Sequence, residues 1–228
     1  MNVAIVVAAG KGTRLGGVRP KQFLELGGVP IIIHTLRQFE RSQQIDEIIA
    51  VLPPEEAANF LSFAQDFGLK KVSRAVVGGA TRAQSVLCGL MTISEADIVA
   101  VHDGVRPLVT PDEIDATMRA ARASGAAILT TSAPDTIKEI KDDRVIRTLP
   151  RANLRRALTP QCFRHEILKR AYDQLNDVES LGIEITDDSM LVERLGVEIV
   201  AVAGSARNIK ITSADDLAIA EVLLKLGP

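Results

Sequence analysis

NVAIVVAAGKGTRLGG, residues 2–17, carries the segment whose reading decides the fold. Val3–Ala8 is apolar at every position, the pattern of a strand covered on both faces rather than one half exposed to water. Four further runs of this kind follow: Ile48–Leu52, Ile98–Val101, Ala126–Leu129 and Val197–Val202. Between them lie stretches with helical spacing, Ile31–Glu40, Glu55–Phe67, Arg82–Met91, Ile114–Ala123 and Glu166–Leu175. Strands alternating with helices predict an α/β protein with a doubly wound, mostly parallel sheet. Helix starts are marked by Thr110 before Pro111 and by Ser213 three residues before Asp216, both able to satisfy orphan amides.

Composition narrows the functional classes. The chain has 228 residues, 46% hydrophobic, enough for one sizeable core, and no repeat or Gly/Ser linker divides it, so one domain over 1–228 is expected. A formal net charge of −2 argues against nucleic acid and anionic membranes as partners, so any polyanion site must be local. Cys88 and Cys162 are the only cysteines and lack metal-ligand spacing, which fits a reducing cytoplasm. The amino-terminal apolar run is too short for a signal peptide, and no stretch approaches a membrane span.

A local polyanion site is expected where the first strand ends. Gly10, Gly12, Gly16 and Gly17 let backbone amides approach phosphates, and Lys11, Arg14, Arg19 and Lys21 fall within eleven positions around them. The loop lacks the Gly-Lys-Ser/Thr of a P-loop, and Leu15 stands where a dinucleotide fold needs its third glycine. Arg14 can fork onto phosphate oxygens, and Lys21, restrained between Pro20 and the anchoring Phe23 and Leu24, supplies a point charge. A plain tight turn with solvated basic side chains is the competing account.

Three later segments can complete the cleft. In VHDGVRP, Asp103 follows the third apolar run and can coordinate Mg²⁺, with Gly104 and Arg106 beside it, although an Asp-Gly turn with a paired Arg is the blander alternative. In GGATRAQSV, Gly78 and Gly79 precede a helix whose start carries Arg82 and Ser85, a place for a base or ribose or simply a shaped loop. In RNIKIT, Lys210 alternates with Ile209 and Ile211, so it points away from the core, into the cleft or into solvent. Thr186, Asp187 and Asp188 suit a helix cap and acidic first turn, and His34, His102 and His165 lack ligand spacing. Residues 135–151 break the α/β rhythm as two short strands around Lys141-Asp142-Asp143-Arg144. Such a hairpin must find packing on a second subunit or back on its own domain.

Taken in order, AAGKGTRLGG with PKQF, GGATRAQSV, VHDGVRP, APDTIKE, LTPQCF, EITDD and NIKIT resemble the 2-C-methyl-D-erythritol 4-phosphate cytidylyltransferase family over essentially the whole chain. The resemblance implies a Rossmann-like, nucleotide-diphospho-sugar transferase-like sheet with a dimerisation arm at about residues 133–152. It implies that CTP lies against Ala8, Ala9, Gly10 and Gly12, with Gly79 and Ser85 near the base and Asp103, Gly104, Arg106 and Lys210 near ribose and phosphates. Arg14 and Lys21 match the catalytic pair. Asp103, Lys210 and Thr159 would help hold the methylerythritol phosphate, with Thr136 and Arg151 reaching in from the arm of a partner in a homodimer. Two departures stand out: Ala80 follows the glycine pair where some relatives carry an acid, and VHDGVRP replaces the VHDAARP form. A ribitol 5-phosphate cytidylyltransferase and a nucleotide-binding module without catalysis remain the alternatives.

Overall fold

The structure, a computed structural model, describes residues 1–10 and 20–227. β1 (Val3–Val7) is followed, after a 3₁₀ turn at Lys21–Phe23, by the two-residue strands β2 (Glu25–Leu26) and β3 (Val29–Pro30) and by α1 (Ile31–Arg41). Next come β4 (Glu47–Leu52), α2 (Pro54–Ala57), α3 (Phe60–Asp66), β5 (Val72–Val77), α4 (Arg82–Leu90), β6 (Ile98–Asp103), α5 (Pro111–Ser124) and β7 (Ala126–Ser132). The chain continues through β8 (Lys138–Lys141), β9 (Arg144–Thr148), β10 (Arg155–Arg164), α6 (His165–Tyr172), α7 (Leu175–Ser180), α8 (Asp188–Glu193), β11 (Val200–Ala203) and α9 (Ala214–Lys225).

Seven strands form the central sheet in the order β11-β7-β10-β6-β1-β4-β5. All its pairings are parallel except those of β10, which runs antiparallel to both β6 and β7. From β1 the chain moves outward through β4 to β5 and then returns to the other side of β1 as β6. The strand order therefore reverses between β1 and β6, and the carboxyl ends of these two strands open a crevice where an α/β sheet accepts ligands.

Both faces of the sheet are covered, which is why its strands read as unbroken apolar runs. Along β1, Ala4 and Val6 enter a core shared with Leu36 and Phe39 of α1 and Ile114 and Met118 of α5. Val3 and Ile5 point to the opposite core, shared with Val86 of α4, Leu168 and Tyr172 of α6 and Leu191 of α8. α5 is firmly bounded. Thr110 and Glu113 form a reciprocal capping box, Pro111 opens the helix, and Gly125 closes it at φ 94, a left-handed backbone that glycine adopts without strain.

The expected alternation holds, with instructive differences. β5 and β10 were not legible as strands: β5 is an edge strand interleaved with Ser73 and Arg74, and β10 contains Pro160 and a register shift between Ala157 and Gln161. The helix expected over Glu55–Phe67 is two short ones, α2 and α3, and that expected over Glu166–Leu175 gives way to α6 and α7. Residues 135–151 do form a hairpin. Asp142 and Asp143 both have positive φ, as a two-residue I′ turn requires, and every residue of β8 and β9 is exposed. Among the described residues no helix is long and apolar enough to cross a membrane.

Phe39 is fully buried, its ring centroid 4.9 Å from that of His102 at the end of β6. Phe39→Ala should therefore lower unfolding free energy by about 3–5 kcal/mol in urea titrations, through lost burial and the cavity left beside β6.

Candidate active site

Register brings the first two site elements together. Val7 of β1 pairs with Asp103 of β6, and the N–H of Gly104 donates to the Val7 carbonyl at 2.8 Å. A Cβ on Gly104 would stand 2.9 Å from the Cβ of Ala8, so glycine allows the two strand ends a closer approach than alanine would. Beyond these strand ends lies a cavity of about 640 Å³. Ala8, Ala9 and Gly10 form one wall, with Lys21 beside them. Gly79, Ala80, Ser85 and Arg82 form another, and Asp103 and Lys210 close it.

Each wall is held by polar contacts that do not require a ligand. Gln22, fully buried within the Lys21–Phe23 turn, donates its side-chain N–H to the carbonyl of Ala8 at 2.5 Å and to that of Gly10 at 3.3 Å, fixing the position of Lys21 relative to the strand end. Opposite, the Thr81 side chain caps α4 by accepting from the Gln84 N–H. The Ser85 hydroxyl donates to the Thr81 carbonyl at 2.8 Å and accepts from the Gly79 N–H at 3.1 Å. The start of α4 thus faces the cavity with the positive end of its dipole, which favours an anion. A Cβ on Gly78 would collide with Ala9 and Ser85, so the two walls meet only because residue 78 is glycine.

Asp103 is the electrostatic centre. Its Oδ1 accepts from Arg82 Nε at 2.9 Å, and its Oδ2 is 3.3 Å from Arg106 Nε and 3.0 Å from Lys210 Nζ. Burial pushes its carboxyl upward, but Arg82, Lys210 and Arg106 together outweigh that and hold it well below the usual range. Arg82 extends the network by forking both terminal nitrogens onto the fully buried Asp188, at 3.1 and 2.9 Å. Desolvation works against its charge, yet the two carboxylates raise its pKa well above the ordinary value. Arg106 also donates to the Asn208 carbonyl at 2.9 Å, and the Ile211 N–H bonds the Val105 carbonyl, tying segment 208–211 to the loop after β6.

His102, one residue earlier, is fully buried and takes no part in the cavity walls. Its Nε2 faces the Arg106 carbonyl, so that nitrogen carries the proton, leaving Nδ1 to accept from the Thr159 hydroxyl at 2.9 Å. Thr159 in turn accepts from the Asp103 N–H at 3.2 Å. Desolvation lowers the His102 pKa to about 3, so the imidazole is neutral at physiological pH.

A second cavity of about 200 Å³ adjoins the first, and Arg82, Asp103 and Lys210 line both. Arg106 and Thr159 line the smaller one, as do Gln161 and Asp187. Gly104 lines neither; its role is the close approach to Ala8. Thr136 and Arg151 lie at the base of the hairpin, exposed and outside both cavities, with Arg151 donating to the Pro134 carbonyl. Arg14 and Gly12 fall outside the described residues. Lys210 does point into the cleft while Ile211 is buried, although the segment is not a strand.

Asp187 caps α8 and Asp188 is the acid of its first turn, both as expected, but Asp188 is in addition buried and ion-paired with Arg82. Sequence reasoning missed that pairing and the bracing by Gln22 and Gln161. No local signal joins residues so far apart in the chain. Among the described residues no cluster of three His, Cys, Asp or Glu side chains could hold a metal, and both oxygens of Asp103 are already occupied by cationic side chains.

This doubly wound sheet, with a cationic two-chambered cleft at its switch point, defines an α/β nucleotidyltransferase-like protein. The family model described as 2-C-methyl-D-erythritol 4-phosphate cytidylyltransferase matches residues 2–226, and the chain belongs to that family. Proteins of that name from Pelotomaculum thermopropionicum and Geobacter metallireducens are 42% and 41% identical to it, each over 97% of this chain and over 93% and 97% of their own lengths. Among solved structures, a 4-diphosphocytidyl-2C-methyl-D-erythritol synthase from Anaerococcus prevotii superposes with a TM-score of 0.82 at 32% identity over 98% of both chains. The cytidylyltransferase from Thermus thermophilus gives 0.77 at 32% identity, covering 99% of this chain and all of its own.

His102 also sets a pH dependence. Its folded pKa of about 3 lies below the ordinary 6.5, so its contribution to stability is complete above 6.5 and is lost as pH falls from there toward 3. The urea midpoint should drop over that window, and His102→Gln, though less stable at neutral pH, should show a shallower slope.

Proposed function

We propose that this chain transfers the cytidylyl group of CTP to 2-C-methyl-D-erythritol 4-phosphate, forming 4-diphosphocytidyl-2-C-methyl-D-erythritol and pyrophosphate. The observation that carries this reading is a pair of adjoining cavities sharing three charged side chains, Arg82, Asp103 and Lys210. The larger, with backbone at Ala8–Gly10, Lys21 and the start of α4, suits a nucleoside triphosphate. Arg106 and Lys210 give the smaller one cationic donors for a phosphorylated acceptor. An acceptor phosphate oxygen attacks the α-phosphorus in line, and the bond to the bridging oxygen breaks with its electron pair leaving on pyrophosphate.

Lys21 neutralises charge gathering on the reacting phosphate, with Arg14 of the preceding loop as its partner. The acceptor phosphate is already anionic, so no base is needed, in keeping with a His102 that is neutral and walled off from the cleft. A Mg²⁺ ion bound with the triphosphate would offset phosphate charge, with Asp103 the carboxylate beside it. Asp103, its carboxylate committed to three cationic side chains, serves to hold those cations rather than to bind the metal alone. The two unpaired cysteines fit a cytoplasmic setting.

The remaining proposal concerns assembly, with one catalytic unit per chain and a β8–β9 arm that completes a partner's site. Ile140, Val145 and Ile146 are 55%, 61% and 54% exposed on this arm, apolar surface that a homodimer would cover. Thr136 and Arg151, outside their own chain's cavities, would then reach the partner's acceptor.

Pyrophosphate release from CTP and Mg²⁺ is expected with 2-C-methyl-D-erythritol 4-phosphate, and not with ribitol 5-phosphate or without acceptor; preference for ribitol phosphate would overturn the acceptor. Lys21→Ala should lower kcat by about 10²–10³-fold with a smaller change in CTP binding, and near-normal turnover would remove Lys21 from the chemistry. An Ile140→Asp, Val145→Asp double variant should sediment as a monomer with raised acceptor KM; an unchanged sedimentation coefficient would refute the arm-mediated dimer.

A further inference from the structure

We infer that Asp188 is a positioning residue for the acceptor subsite, acting through Arg82 on the Asp103 carboxylate; the inference rests on the two-chamber reading above. Arg82 lines both cavities, and three of its five N–H donors are spent on carboxylates, Nε on Asp103 and one from each terminal nitrogen forked onto Asp188. It is therefore arranged as a strut between two carboxylates, its orientation set by both.

The far end of the strut is fixed. Asp188 is fully buried, and its Oδ1 accepts from the Tyr172 hydroxyl at 2.5 Å. Gln161 Oε1 accepts the N–H groups of Asp188 and Ser189 at 3.0 and 2.9 Å, while Gln161 Nε2 donates to Asp187. A buried carboxylate with this many partners cannot reorient without exposing an unpaired charge. With Arg82 held at that angle, Oδ1 of Asp103 is taken and Oδ2 faces Arg106 and Lys210. Lys210, at 38% exposure, is the most exposed cation on Asp103 and one that an entering ligand can reach.

The two cavities depend on this strut unequally. Ala8–Gly10, Lys21, Gly79 and Ser85 stand outside the network, whereas Arg82, Asp103, Arg106, Gln161, Asp187 and Lys210, which line the smaller cavity, all belong to it. Removing the charge of Asp188 frees Arg82 to swing and lets Asp103 choose new partners, so Arg106 and Lys210 lose their fixed positions toward the acceptor, while the larger cavity keeps the walls that stand outside the network, Ala8–Gly10, Lys21, Gly79 and Ser85.

Steady-state kinetics with CTP and 2-C-methyl-D-erythritol 4-phosphate tests this. Asp188→Asn should raise KM for the acceptor about tenfold and leave KM for CTP within about twofold. Arg82→Lys, whose ammonium cannot fork onto Asp188 while reaching Asp103, should give the same split and carries the test if Asp188→Asn does not fold. Equal rises in both KM values, or a lowered melting temperature with both KM values unchanged, would overturn the inference while an active wild type keeps the two-chamber reading. A wild type silent with this acceptor would overturn both.

Discussion

A carboxylate almost out of contact with water, at the end of a parallel strand, sets the arrangement around it. Removing the Asp103 charge from water is costly, and the cost is offset only because cations from three separate parts of the chain converge on it: Arg82 from the start of α4, Arg106 from the loop after β6 and Lys210 from the segment before α9. Each cation is itself drawn from solvent by that attraction. The carboxylate thus acts less as a chemical reagent than as the fixed point on which positive charge is assembled beside an otherwise slightly acidic protein.

That fixed point is where it is because of the sheet. Pairing of Val7 with Asp103 sets the end of β6 level with the end of β1, and β10, running the other way, delivers Thr159 to the Asp103 backbone. The polar side chains beneath the site are nearly all consumed in holding backbone: Gln22 on Ala8 and Gly10, Ser85 on Gly79, Gln161 on the start of α8. A cleft braced in this way has its polar groups already positioned, which lowers the ordering cost of binding any ligand.

The exposed arm follows a different logic. Its strands have a sound turn and an internal Arg147–Glu139 pair, but no core of their own, since every residue of β8 and β9 faces solvent. Two strands by themselves are marginal in water, which is why covering them by a second copy is part of the proposed function.

Much of the molecule was legible from the order of its residues. Alternating apolar runs and helical stretches pointed to a doubly wound sheet, the glycine and cation pattern after β1 predicts an anion site of which only Ala8–Gly10 and Lys21 lie among the described residues, and two aspartates at residues 142 and 143 marked the hairpin. These features are local, each encoded within about a dozen residues by periodicity, turn chemistry or charge spacing. β5 and β10 escaped such reasoning because an edge position lets polar residues stand in β5, and a break in register between Ala157 and Gln161 accommodates Pro160 in β10. It took the folded chain to reveal that Arg82 braces Asp103, that Asp188 is buried beneath it, and that Lys210 meets both cavities. Those pairings span 21, 106 and 107 positions of chain, as the separations of 82 from 103, 82 from 188 and 103 from 210 give, and ion-pair energy depends on distance and burial, which no run of neighbouring residues encodes.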